Sequence, residues 1–135
     1  RLAFDQQEII VYDYKTGKPI RSWNEETESD LLKSWGYKNQ LLFYKILVEN
    51  SRNFKGKYQV NHGSLEFVEP TARSGAEPTY NLSLSIEAHD YEQLEKLVQV
   101  VYNKIINLDF PDTSAYEKNI HGIIDFTLDL LEGKI

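Results

Sequence analysis

Residues 8–19 read EIIVYDYKTGKP. The β-branched and aromatic run over residues 8–14 lies between Asp5-Gln6-Gln7 and Thr16-Gly17-Lys18-Pro19, which predicts a strand between two turns. Residues two apart on a strand project to one side, so Asp13 and Lys15 point together and the Tyr14 side chain points to the other face. A carboxylate can hold a hard divalent cation such as magnesium. An ammonium beside it can orient a nucleophilic water or offset charge on a phosphoryl oxygen. Phosphodiester hydrolysis needs both tasks. By itself, D-x-K also describes an ordinary ion pair at a strand end.

Working outward, residues 2–4 are expected to belong to a preceding strand of a hairpin, and residues 15–30, rich in Lys, Gly, Pro, Asn and Glu, read as a loop. Residues 29–35 are expected to form a helical turn before Gly36. A firmer helix is expected over 37–50, where Gln40, Leu41, Tyr44, Leu47 and Val48 recur at helical spacing. Two further strands are expected over 64–69 and 79–87, the second alternating Tyr80, Leu82, Leu84 and Ile86 on one face. Residues 70–78 between them (PTARSGAEP) read as a flexible loop. Asp90 is a candidate N-cap for a helix reaching Leu108, whose Leu94, Leu97, Val98, Val101 and Ile105 make an apolar stripe. Ser114 with Glu117 has capping-box spacing for a last helix that Gly133 can end. The order strand, strand, helix, strand, strand, helix, helix is an α/β sandwich, without repeats.

With 135 residues the chain fits one domain. Its 41% hydrophobic and 27% charged residues are ordinary for a folded domain rather than a disordered one. No apolar run is long enough for a membrane span and no signal peptide opens the chain, so no membrane partner is expected. Cysteine is absent, which removes disulfides, thiolate zinc sites and cysteine nucleophiles and fits a cytoplasmic setting. Methionine is absent too, so Arg1 reads as the start of an excised piece. A net charge of −6 argues against a general nucleic-acid binder, unless other domains of a larger machine grip the DNA.

The longer pattern carries more than D-x-K. The stretch VYDYKTGKP, followed by YKNQLLFYKILVE at residues 37–49, resembles the C-terminal signature of RecB-like PD-(D/E)XK nucleases, a strand ending in D-Y-K-T-G and a helix with Q-L-x-x-Y. The matching residues are Asp13, Tyr14, Lys15, Thr16 and Gly17, then Gln40, Leu41 and Tyr44. The resemblance extends to the end of bacterial UvrD/Rep-type DNA helicases, through GSLEFVEPT at 63–71 and NLDF at 107–110. It implies a restriction-endonuclease-like sandwich, a mixed β-sheet flanked by helices and truncated on its N-terminal side. Residues 1–135 would be the C-terminal portion of such a nuclease domain. The implied activity is magnesium-dependent DNA cleavage in a helicase-nuclease of DNA repair and recombination. Its partners would be DNA and the helicase motor of the same parent chain, with ATP bound only in that missing motor.

Carried over residue by residue, the resemblance makes Asp13 and the carbonyl of Tyr14 metal ligands and Lys15 the catalytic lysine. Gln40 would orient the lysine, water or phosphate, and Tyr44 would support the site or touch the DNA backbone. A helical Gln is also commonly just solvated, and a Tyr commonly just packs. The family's second metal-binding Asp would fall immediately ahead of Arg1, and its His or Glu further upstream. The piece alone is therefore expected to be inactive and to hold magnesium weakly.

Asp5, in a turn, and Glu8, of opposite parity to Asp13, are poor substitutes. His62, His89 and His121 are too dispersed to suggest zinc. No nucleophile elbow or phosphate-binding Gly-rich loop is present. The alternative is a non-catalytic, nuclease-like scaffold or DNA-binding module of a helicase.

Overall fold

The β-branched run forms strand β1, Gln7–Lys15, and its burial alternates along the chain as the pleat requires. The computed structural model describes residues 7–24, 26–68 and 80–135. The strand expected over 2–4, the turn at Asp5 and the loop expected over 70–78 lie outside the described residues.

β1 is followed by helix α1 (Glu28–Asn50), β2 (Tyr58–Phe67), β3 (Tyr80–Ser85), α2 (Ala88–Ile106) and α3 (Ile120–Glu132). The sheet order is β1-β2-β3, with β1 parallel to β2 and β2 antiparallel to β3. A parallel pair needs a crossover, and α1 supplies it by packing on β2 and β1, while α2 and α3 pack against α1 and each other. This mixed sheet with flanking helices is the α/β architecture expected, with β1 at an edge of the sheet among the described residues. The core gathers Ile20, Leu41, Leu65, Phe67 and Leu84, with Trp23, Tyr37, Tyr44, Leu82 and Ile86 packed around it.

Several boundaries differ from the sequence reading. α1 is one helix, not a turn and a helix parted at Gly36. Thr27 caps it, its hydroxyl accepting from the Asp30 amide at 3.2 Å. A helical Gly costs about 1 kcal/mol relative to Ala, and packing at buried Ser34 and Leu41 on either side outweighs that. β2 begins at Tyr58, well before Ser64, because its polar first half is paired with β1. α2 is capped by the backbone of Glu87 and ends at Ile106, with Leu108 in left-handed backbone at φ 55°. Asp90 lies inside its first turn and pairs with Lys38 of α1 at 2.7 Å. Only the first part of its apolar stripe is covered, since Val98, Val101 and Ile105 are exposed.

α3 is capped by Asn119, whose side-chain oxygen accepts from the Gly122 amide at 3.0 Å. The capping box expected at Ser114 and Glu117 does not form. The Ser114 amide donates to Asp112 at 2.8 Å instead, and Glu117 accepts from the Asn119 side chain. Gly133 does end α3, at φ 70°.

Two contacts set the height and register of α1 on the sheet. Between Ile9 and Ile10 the β1–β2 register shifts, leaving Asn61 as an extra residue in β2. The adjacent Val60 backbone is satisfied from α1. Its amide donates to Glu49 at 2.8 Å and its carbonyl accepts from the buried Lys45 ammonium at 2.7 Å. Lys45 and Glu49 also pair with each other at 2.6 Å, so this buried charge has its counter-charge. Nearer the end of the sheet, Gly63 faces Leu41. A Cβ there would lie 3.0 Å from one Leu41 methyl and 3.2 Å from its Cβ.

Gly63→Ala should therefore push α1 off the sheet by a few tenths of an ångström. Overpacking of this kind costs about 1–3 kcal/mol. A lower midpoint in urea unfolding with an unchanged slope is the expected result.

Candidate active site

The site is built where β1 ends. β1 and β2 pair Asp13 with Leu65 and Lys15 with Phe67, and these four side chains share the face that α1 covers. The pleat therefore presents a carboxylate and an ammonium to the helix from a strand otherwise lined with Ile9 and Val11. Tyr14, between them, turns its side chain to the opposite face and is 70% exposed. Beyond Lys15 the chain crosses to β3. Ile20 drops into the core, the Trp23 indole donates to the Ser83 carbonyl at 2.7 Å, and the Tyr80 hydroxyl donates to the Arg21 carbonyl at 2.8 Å. Ser34 then ties the start of α1 back to this loop by donating to the Trp23 carbonyl at 2.7 Å.

Lys15 Nζ lies 2.9 Å from Asp13 Oδ2, and the two side chains are only 17% and 13% exposed. Such shielding makes the pair more than a solvated surface contact. The same ammonium donates to Gln40 Oε1 at 2.6 Å. The Gln40 amide nitrogen in turn donates to the Tyr44 hydroxyl at 3.0 Å. Donor chemistry fixes the direction of this chain. An ammonium only donates, so the amide oxygen must face Lys15 and the amide nitrogen must face Tyr44. Gln40 and Tyr44, four apart, share one helix face. Among the described residues the Tyr44 hydroxyl hydrogen has no protein acceptor.

The sequence-predicted residues thus fall into two groups. Asp13, Lys15, Gln40 and Tyr44 come together, although β1 and α1 are separated by the whole connecting loop. The Tyr14 side chain does not join them. One further residue belongs to the cluster and was not singled out in the sequence. Tyr37 places its ring under Lys15 Nζ, 4.5 Å from the ring centroid. Its three-residue spacing from Gln40 was a usable signal, because positions three apart on a helix are neighbours.

Asp13 Oδ2 is buried and has no hydrogen-bond partner among the described residues, for the Lys15 ammonium meets the ion-pair distance without hydrogen-bond alignment. The Lys15 ammonium offsets the charge of this oxygen, and its unspent lone pairs leave it open to a further cation or donor. A hard divalent cation is a fitting partner for such an oxygen. No group of three or more His, Asp or Glu side chains gathers around a common point among the described residues. Glu8 is engaged elsewhere, accepting from the Asn61 side chain. A groove between α1, α2 and α3, lined by Trp35, Leu42, Leu94 and Leu128, lies apart from this chemistry.

The family model described as the PD-(D/E)XK nuclease superfamily matches residues 1–118. That span holds the whole Asp13–Lys15–Gln40–Tyr44 cluster. No curated protein and no solved structure matches the chain at a significant level. No helix among the described residues is long and apolar enough to cross a membrane.

Proposed function

Because this chain belongs to the PD-(D/E)XK nuclease superfamily, we propose that Asp13 and Lys15 are catalytic parts of a magnesium-dependent deoxyribonuclease module. The module works, on this reading, in a cytoplasmic helicase-nuclease of DNA repair and recombination. ATP is consumed only by the motor of that larger polypeptide. The observation that carries the nuclease reading is the half-buried cluster in which Lys15 meets both Asp13 and Gln40. The helicase part of the proposal rests on the resemblance of D-Y-K-T-G and Q-L-x-x-Y, and the continuation around NLDF, to the ends of UvrD/Rep-type enzymes.

Nucleases of this superfamily typically use divalent metals. Asp13, through Oδ2, is the residue of this chain best suited to hold one, with the Tyr14 carbonyl as a second oxygen. A bound divalent cation would supply Lewis-acid stabilisation of phosphoryl oxygens and a more acidic water. Lys15 directs positive charge at the place where negative charge grows on the scissile phosphate, which low exposure makes more effective than in bulk water. Gln40 holds the ammonium in that direction, and the Tyr44 hydroxyl accepts from the Gln40 amide nitrogen on its other side. The unspent Tyr44 hydroxyl hydrogen suits a phosphate oxygen of the DNA backbone.

One carboxylate is a thin ligand set for magnesium, which keeps its waters unless several oxygens converge. The remaining ligands are proposed to come from an Asp and a His or Glu upstream of Arg1 in the larger polypeptide. The same thinness favours the second reading, a nuclease-like module that binds or scaffolds without cutting. Magnesium titrated into residues 1–135 and followed by amide chemical shifts separates the possibilities. Binding weaker than millimolar, with shifts centred on Asp13 and Lys15 and abolished by Asp13→Ala, is expected from roughly two oxygens on an otherwise hydrated ion. Shifts centred away from Asp13 would overturn the assignment of the metal side. The activity itself is tested on linear DNA with the larger polypeptide. Cleavage should appear with magnesium and vanish with chelator, and unwinding without cleavage would favour the scaffold.

A further inference from the structure

Among the described residues the Lys15 ammonium has three partners, and they are not equivalent. Asp13 Oδ2 lies at 2.9 Å and Gln40 Oε1 at 2.6 Å. The third is the face of Tyr37, 4.5 Å from Nζ to the ring centroid. Tyr37 stands on α1 one turn before Gln40, and its ring meets Phe67 edge-on, with centroids 6.2 Å apart and planes at 64°. Phe67 is 1% exposed and sits opposite Lys15 in the β1–β2 register. The ring is therefore fixed by the same strand pairing that fixes Lys15.

The difference between the partners matters when the site works. An Asp13 oxygen that serves a metal ion has less to offer the ammonium, and every N–H spent on an oxygen acceptor is lost to the substrate. A ring face attracts the cation as a whole through its quadrupole and needs no aligned N–H. We propose that Tyr37 is a positioning residue, whose ring face holds the Lys15 ammonium in place with N–H directions left for a phosphate oxygen. The catalytic consequence rests on the nuclease reading, whereas the seating of Lys15 on the ring does not.

The test has an arm for each. In this chain, the ring current should move the Lys15 ε-methylene protons upfield. Tyr37→Phe should keep that shift and Tyr37→Leu should abolish it, with Tyr37→Met as the substitute should the leucine variant fail to fold. In the larger polypeptide, Tyr37→Leu should lower kcat for DNA cleavage about tenfold, the factor equivalent to about 1.4 kcal/mol and within the range of a partly desolvated cation–π contact. KM for DNA should stay put, and Tyr37→Phe should recover most of the lost kcat. A general loss of folding would not be rescued selectively in kcat. The proposal is overturned if the wild-type shift is absent, if Tyr37→Leu keeps it, or if Tyr37→Phe is as slow as Tyr37→Leu. A wild type that cuts no DNA would defeat the nuclease reading, and the methylene shift would still decide whether Tyr37 seats Lys15.

Discussion

Lys15→Ala is expected to lower DNA cleavage by about 10²–10⁴-fold, the usual worth of a proton-transfer or charge-stabilising group. The loss follows from the position of Nζ, which is 2.9 Å from Asp13 and 2.6 Å from Gln40 in a setting where its side chain is only 17% exposed. No other ammonium meets Asp13 among the described ion pairs. ATP hydrolysis and unwinding by the proposed helicase-nuclease should stay nearly intact, because its motor would lie outside this nuclease module. The substitution also leaves the Gln40 amide oxygen and Asp13 without their cation, so a small loss of stability is expected alongside. Lys55→Ala, at an exposed position beyond α1, is the control and should affect DNA affinity far more than rate.

Asp13→Ala should abolish cleavage at least as completely, through a different route. It removes the one buried carboxylate oxygen that lacks a hydrogen bond among the described residues, and with it the proposed grip of this chain on magnesium. It also frees Lys15 from its counter-charge, which leaves the ammonium, among the described residues, with Gln40 and the Tyr37 ring. Raising magnesium should therefore recover part of the activity of a weakened ligand such as Asp13→Asn but none of that of Lys15→Ala. Comparing the two magnesium titrations separates the metal role from the lysine role. Equal recovery of both variants would mean that Lys15 acts through the metal alone.

What was legible in the sequence was the part that local rules govern. The parity of β1 places Asp13 and Lys15 on one side without help from any tertiary contact. The four-residue spacing of Gln40 and Tyr44 does the same on α1. Legibility ended where tertiary packing overrides local preference. Gly36 looked like a helix boundary, yet α1 runs through it because Ser34, Leu41 and Lys45 are buried against the strands and the connecting loop. The first half of β2 fell outside the expected strand because its register depends on Lys45 and Glu49 reaching across to the Val60 backbone, which no strand pattern encodes. Asn119 was missed as a cap because the cue for it is Gly122, where a Cβ would collide with the Glu117 carbonyl oxygen. Tyr37 was missed for a related reason. A tyrosine at a helical position reads as packing, and only the register of Phe67 against Lys15 brings its ring under the ammonium.

The central claim is that the Asp13–Lys15 pair is a working phosphodiesterase centre rather than an ion pair at a strand end. The direct measurement is the rate at which the larger polypeptide degrades linear DNA in magnesium, for wild type and Lys15→Ala, with unwinding followed in parallel. The account predicts cleavage by the wild type, loss of at least about 10² in rate for the variant, and equal unwinding by both. Cleavage by Lys15→Ala at the wild-type rate, or unwinding without cleavage by the wild type, would contradict it.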